Sequence, residues 1–292
     1  MEHTEKKILM EKKITELMKE DAKLIEASLC EYFKAPEGAP TEIYEAMRYS
    51  LLSGGKRIRP FLTLSFCRMH GGDDKAAIPF ACAIETLHTY SLIHDDMPCL
   101  DDDDYRRGTL TNHKKFGEGM AMLCGDGMQA SAYEIAASNS YVSAGAALDA
   151  VRLLASSAGP AGMVGGQVID LIGESKKLTY EQLLHMNALK TCRFFRAACQ
   201  LGCISAGIND KKAFTDAEIY ADSLGLCFQL TDDLLDMATE KTDKTTFLTY
   251  MTAADARKLA SELTEKAKEA ISGCSRSEAL ISLADFLLTR TV

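Results

Sequence analysis

The chain has 292 residues, is 47% hydrophobic and lacks tryptophan, a composition that suits a helical protein with a large core. Its formal net charge of −9 argues against a nucleic-acid backbone as partner and obliges an anionic substrate to find local cations or a metal. Its ten cysteines lack paired metal spacing, and the charged opening, Met1 to Asp21, has no signal-peptide core. The expectation is therefore a reducing cytoplasm with free thiols, and no uninterrupted apolar run reaches membrane-spanning length.

Helical periodicity runs from about Lys6 to Phe33, with Ile8, Ile14, Leu17, Leu24 and Ile25 as apolar members. Residues 36–40, bounded by prolines, break it. Thr41 can cap a second helix, where Ile43, Met47 and Leu51 recur until Gly54-Gly55. Pro60 suits the first turn of a third helix, which stops at Gly71-Gly72. A fourth, from about Lys75, leads through the apolar run Ala81 to Ile93 into an acidic stretch. Further helices are predicted over Glu118 to Ala137, Ala146 to Ala158, Met163 to Ile172 and Ala221 to Leu230. Capping boxes are predicted at Thr179 with Gln182, Thr215 with Glu218, and Ser275 with Glu278. Cys199 and Cys203, four apart on an apolar helix, read as core. No two-residue alternation is long enough for a strand, and no linker or repeat appears. The predicted architecture is one all-α domain over residues 1–292, a large helix bundle with its site between facing helices.

The chemistry concentrates at the end of the fourth helix. Six aspartates, Asp95, Asp96 and Asp101 to Asp104, lie within ten residues, followed by Arg106 and Arg107. Carboxylates gathered at the end of a buried helix need a counter-charge, and hard oxygen ligands suit Mg²⁺, which also takes substrate phosphate oxygens. Pro98 interrupts the helix, so the later aspartates can turn back towards the first pair. The stretch lacks the central glycine and terminal glutamate of an EF-hand loop. The plain alternative is an acidic loop without a ligand.

A second acidic motif, Asp232-Asp233-Leu234-Leu235-Asp236, follows another apolar helix and places Asp232 and Asp236 on one face. Either motif alone occurs by chance on solvated helices. Two of them at the ends of core helices can face one another across a cavity and hold divalent ions. Cations suited to diphosphate stand at the turns: Lys56 and Arg59 in Gly54-Gly55-Lys56-Arg57-Ile58-Arg59-Pro60, Arg106-Arg107, and Lys190 beside Thr191.

With these motifs in order, the chain resembles the trans-isoprenyl diphosphate synthases, most closely the bacterial-type farnesyl diphosphate synthases. The resemblance covers nearly the whole chain. It also includes Asn112-His113-Lys114-Lys115-Phe116-Gly117-Glu118, Gly165-Gly166-Gln167 and Phe228-Gln229-Leu230-Thr231. The four residues between Asp96 and Asp101 match the bacterial-type version. The resemblance implies a homodimeric all-α bundle with three Mg²⁺ ions. Asp95 and Asp101 on one side, and Asp232 on the other, would hold an allylic diphosphate through those ions, with Asp96, Asp233 and Asp236 in support. Arg106, Lys190, Thr191 and Gln229 would contact that substrate, and Lys244 matches a later substrate-side lysine. Lys56, Arg59, His88 and Arg107 would hold isopentenyl diphosphate without metal. A head-to-tail condensation follows, mainly to farnesyl diphosphate, and geranyl or geranylgeranyl diphosphate is the alternative. Such chemistry needs no protein nucleophile, in keeping with the lack of a convincing nucleophile–base pair.

Tyr90 and Ser91 precede Asp95 by five and four residues. At ~1.5 Å per residue they lie roughly 6–7 Å along the helix, where a growing tail would extend, and Tyr90 would stop it. The resemblance has two departures. Cys192, Arg193, Phe194 and Phe195 follow Lys190-Thr191 where relatives carry a small glycine, and this bulk would narrow the pocket unless Arg193 points to solvent. Only 237–243 separate Asp236 from Lys244-Thr245-Thr246-Phe247, a short lid in which Lys241 is a doubtful stand-in for an earlier lysine. A non-catalytic partner subunit would be expected to lose aspartates from one motif. A terpene cyclase would have no use for Lys56, Arg59 and His88.

Overall fold

The structure, a computed structural model, describes residues 2–237 and 245–290, with backbone alone for 2–11. In chain order its helices are α1 (Glu2–Tyr32), α2 (Thr41–Leu51), α3 (Ile58–Met69), α4 (Asp74–Asp95), α5 (Asn112–Phe116), α6 (Glu118–Ala137), α7 (Ala144–Ala158), α8 (Met163–Ser175), α9 (Tyr180–Asn187), α10 (Arg193–Ser205), α11 (Lys211–Asp236), α12 (Ala253–Ala270) and α13 (Glu278–Thr289). A π turn, Ala188–Cys192, joins α9 to α10, and a 3₁₀ turn, Phe247–Thr249, precedes α12. The strands missed by pattern are two residues each: β1 (Tyr105–Arg106) pairs antiparallel with β2 (Thr109–Leu110), too short to show alternation. Lys244, Lys241 and 238–243 of the short lid lie outside the described residues.

The predicted all-α class holds. α4 is the axis of the bundle, packed by α3, α6 and α10 and touched by α1, α2 and α7. It is the one described helix long and apolar enough to cross a membrane, yet 78% of that stretch is buried inside the protein, which makes it a core helix. Small residues let its neighbours close in. A Cβ at Gly125 of α6 would fall 2.1 Å from His94 Nε2, and one at Gly202 of α10 would fall 2.6 Å from the Thr63 carbonyl of α3. Phe61, Phe66, Phe80, Phe194, Phe195 and Tyr220 fill the space between, and Tyr220 donates to the Leu280 carbonyl at 2.8 Å, tying α11 to α13. Cys199 and Cys203 are buried core residues, and all ten cysteines are free thiols.

Two predicted caps are corrected. Thr215 lies inside α11, where its hydroxyl donates to the Lys211 carbonyl; Asp210 caps instead, accepting from the Lys212 amide. Ser275 does not cap α13, which starts at Glu278 after Ser277. In both cases the capping-box pattern is met by composition alone, while the chain turns elsewhere. The Thr179–Gln182 box is present in both directions. A third cap is corrected as well: Thr41 does not cap α2 but is its first residue, after Pro40, and no side chain caps that end.

Candidate active site

α4 ends at Asp95, so Asp95 and Asp96 sit at the negative end of a long helix, where carboxylates are unfavourable without cations nearby. Beyond it the chain turns sharply around Pro98. The Asp101 amide donates to the Asp95 carbonyl at 2.9 Å and the Leu100 amide to the Met97 carbonyl at 2.8 Å. This brings Asp101 back beside Asp95, as predicted. Burial, with the like charge of Asp101, raises the Asp95 carboxyl above its ordinary range against the pull of Lys190. Asp96 turns inward at 3% exposure, and its Oδ1 accepts from Arg106 Nε at 2.6 Å and from Nη2 at 2.5 Å.

The loop before α3 is built on left-handed backbone, with φ +90° at Gly54, +119° at Gly55 and +46° at Arg57. Arg57 faces the core, bonded to Glu85 at 2.8 Å, Glu26 at 2.9 Å and the Leu51 carbonyl at 2.5 Å. Its neighbours Lys56 and Arg59 remain for other work. Arg107 donates to the Gly54 carbonyl, and a Cβ at Gly55 would fall 2.7 Å from its Cζ, so the loop and the first acidic motif are locked together. Arg59 lies over the rings of Phe194 and Phe195 at 5.8 and 5.3 Å, and its Nε is buried without a hydrogen-bond partner. Burial, opposed by Glu85 and helped by Arg107, brings its pKa down to about 10. His88 is held neutral, first by burial and then by the positive charge of Arg59, Arg107 and Arg106.

Lys190 and Thr191 lie on the π turn, a distortion frequent at functional sites. α8 presses against it: a Cβ at Gly166 would fall 2.5 Å from the Lys190 amide nitrogen. Lys190 Nζ is 2.6 Å from Asp170 Oδ2 and 3.8 Å from Asp95 Oδ2, and Gln167 donates to Asp95 Oδ1. The bulk after Thr191 is largely absorbed elsewhere. Cys192 is buried against α11, 2.9 Å from where a Gly225 Cβ would be, and Phe195 packs on Phe228 with ring centroids 5.7 Å apart. Phe194 alone of the four residues lines the central cavity.

That cavity measures about 330 Å³. Arg59, His88, Asp95, Gln167, Lys190 and Thr191 give it a polar side, and Tyr90, Leu100, Met163, Val168, Leu171 and Phe194 an apolar one. Tyr90, 4% exposed, is edge-on to His94 at 5.7 Å, and Ser91 lines the wall while donating to the His88 carbonyl at 2.8 Å.

The second motif ends α11. Asp233 is turned in, 8% exposed, and accepts from the Phe247 amide at 2.8 Å and from Gln229 at 3.3 Å. It thus docks the segment that follows Thr246, and Gln229 faces Asp233. Asp232 Oδ1 accepts from Arg290 at 2.5 Å. Burial raises the Asp232 carboxyl to about 6, with Arg290 opposing and Asp236 adding to the rise. Neither Asp232 nor Asp236 lines the cavity that Asp95 opens into. Side-chain contacts link the two sides instead: Arg59 stacks over Phe195, Phe195 packs on Phe228, and Arg290 lies over Phe228 while pairing with Asp232. Lys56 feels both Arg290 and Asp232, although burial is the main cause of its lowered pKa.

Among the described residues no three metal-binding side chains converge into a closed shell. The carboxylates of Asp95 and Asp101, hard oxygen donors on a backbone turn closed at 2.9 Å, would suit Mg²⁺, which keeps several waters and binds through one or two carboxylates plus substrate phosphates. Residue-by-residue reading missed Asp170 and Arg290 and gave Gln167 no role. Gln167 and Asp170 are three apart on one face of α8, a spacing that was available as a signal. Nothing in the local pattern marks Arg290.

The polyprenyl synthetase family profile matches residues 40–252. A farnesyl diphosphate synthase of Geobacillus stearothermophilus is 42% identical over 235 residues, covering 79% of this chain and 78% of that protein. A geranylgeranyl diphosphate synthase of Cyanophora paradoxa is 42% identical over 270 residues, covering 87% and 90%. The apo crystal structure of an FPP/GFPP synthase from Zymomonas mobilis superposes with a TM-score of 0.90 at 35% identity, covering 96% of this chain and all of that one.

Proposed function

The chain belongs to the polyprenyl synthetase family, and from that premise we propose that it is a Mg²⁺-dependent short-chain prenyltransferase whose main product is farnesyl diphosphate. It would act as a single synthase domain and join isopentenyl diphosphate head-to-tail to dimethylallyl and then geranyl diphosphate. The observation that carries this reading is the two-sided cavity, in which a cationic and carboxylate rim meets an apolar wall. A prenyl diphosphate has the same division, an anionic head and a hydrocarbon tail.

Asp95 and Asp101 on one side, and Asp232 with Asp236 on the other, are the carboxylates to hold three Mg²⁺ ions, while Asp96 positions Arg106. When bound, the metal supplies positive charge that stabilises the departing diphosphate. Lys190 and Thr191 lie on the allylic side, with Lys190 shared between Asp95 and Asp170. Lys56, Arg59, His88 and Arg107 form the isopentenyl side. The unpartnered Arg59 Nε is donor capacity waiting for an anion, and neutral His88 donates or accepts without adding charge. The allylic C–O bond breaks and diphosphate leaves. The isopentenyl double bond supplies the electron pair of the new C–C bond, and released diphosphate takes the proton.

Tyr90 supports the C15 product, because it is a bulky side chain on the cavity wall one and a half helical turns before Asp95. A homodimer is supported by apolar side chains exposed on neighbouring helices α6 and α7, Leu123 at 57% and Leu148 at 51%. The cytoplasm fits the ten free thiols. The test is product analysis with Mg²⁺, isopentenyl diphosphate and dimethylallyl diphosphate. Mainly farnesyl diphosphate is expected. Geranylgeranyl or geranyl diphosphate as main product would overturn the chain-length assignment, and no condensation would overturn the activity.

A further inference from the structure

Asp232 already has a cation in contact. Arg290, just past the end of α13, places Nη2 2.5 Å from Asp232 Oδ1 and 2.8 Å from the Phe228 carbonyl. Its guanidinium lies over the Phe228 ring at 3.9 Å. The Arg290 side chain is only 5% exposed, whereas Asp232 is 32% exposed, so the arginine is sealed while the carboxylate remains partly open to solvent. An ion pair, a carbonyl and an aromatic face thus fix one guanidinium, which distinguishes it from a surface pair of negligible worth.

The contact is also incomplete. Arg290 Nε is buried with no hydrogen-bond partner, a cost that the observed arrangement carries unrelieved. Lys56 stands near enough to Arg290 for the like charge to disfavour its own protonated form. Burial is the larger cause of that shift and Asp232 opposes it, but a second cation does stand beside Arg290 before any metal arrives. A guanidinium touching one carboxylate oxygen and a divalent cation drawn to the same carboxylate repel each other strongly in a partly buried site.

We propose that Arg290 is a counter-ion latch: it neutralises Asp232 in the metal-free protein and is exchanged for the divalent cation when metal and diphosphate load. The latch rests on the reading of Asp232 as a metal-side carboxylate. It makes the end of α13, 58 residues from Asp232 in sequence, a determinant of metal affinity. Asp95 differs, because its cation Lys190 is also held by Asp170 and stands 3.8 Å away.

The test is calorimetric titration of the metal-free full chain with Mg²⁺ and inorganic diphosphate, for the wild type, Arg290→Gln, Arg290→Lys and Asp232→Asn, with melting temperatures read before and after loading. Arg290→Gln is expected to bind about fivefold more tightly, equivalent to about 1 kcal/mol, and to melt lower than wild type only when metal-free. Arg290→Lys, which keeps the charge without the fork and stack, is expected to fall between them, and it carries the test if the Gln variant does not fold. Unchanged or weaker binding by both Arg290 variants, with normal wild-type binding that Asp232→Asn abolishes, would overturn the latch and leave the metal-side reading of Asp232 intact. Wild-type binding that Asp232→Asn does not alter would overturn that reading, and the latch with it.

Discussion

Arg57 and Glu85 form an ion pair of 2.8 Å in which both side chains are at most 2% exposed, so two charges are buried between the loop before α3 and the axis of the bundle. Glu26 adds a second carboxylate at 2.9 Å. The pair anchors the left-handed turn from which Lys56 and Arg59 project. Deleting Arg57 leaves the buried Glu85 carboxylate without its bonded cation, so Arg57→Ala is expected to cost about 3–5 kcal/mol in unfolding free energy. Denaturant unfolding measures it. A loss within the range of a surface substitution would show that the pair does not carry the loop.

Asp232→Asn and Asp95→Asn are each expected to lower kcat by about 10²–10³-fold, the scale of removing one preorganised electrostatic contact to a transition state. Chelating the metal is expected to abolish turnover and to be reversed by excess Mg²⁺. Steady-state rates with saturating substrates decide the matter, and full activity in Asp232→Asn would remove the second motif from catalysis.

Tyr90→Ala opens the apolar wall of the cavity and is expected to lengthen the product beyond C15, while Tyr90→Phe keeps the ring and the wild-type product. Chromatographic separation of dephosphorylated products by chain length provides the measurement. An unchanged product from Tyr90→Ala would place the stop at another wall residue, with Phe194 next in line.

His88 sets a pH dependence. Its folded pKa lies well below the ordinary value of 6.5, first because the half-buried ring is poorly solvated and then because it faces Arg59, Arg107 and Arg106. The unfolded chain therefore takes up a proton that the folded chain refuses. This contribution to stability is fully present above about pH 6.5 and is lost as pH falls towards the folded pKa, by up to about 1.4 kcal/mol per unit. His88→Gln lacks this slope, so the unfolding free energy of wild type should fall relative to the variant between about pH 6.5 and 5.5. Parallel curves for the two proteins would show that His88 titrates normally.

Gly55→Ala is expected to weaken isopentenyl diphosphate binding, read as a raised KM. The substitution strains a backbone at φ +119° and drives a methyl into the Arg107 guanidinium. An unchanged KM would mean that the loop tolerates a shift of Arg107.

By itself the sequence determined the helical class, most of the helices (though not α5 or α12) and the turn that brings Asp101 back to Asp95. It also determined the residue types of the site: two acidic motifs, the cations and the tyrosine before Asp95. These are local properties, set by periodicity, glycine and proline, and by the rise of one helix. Only the tertiary structure decided which carboxylates are turned inward and which open into the cavity. Asp96 is committed to Arg106 and Asp233 to the Phe247 amide, whereas Asp95 opens into the cavity. The same holds for Gln167 on Asp95 across 72 residues and for Arg290 on Asp232 across 58. Such pairs depend on how closely helices remote in sequence approach, and that is set by buried contacts such as Gly166 against Lys190, which no local pattern records.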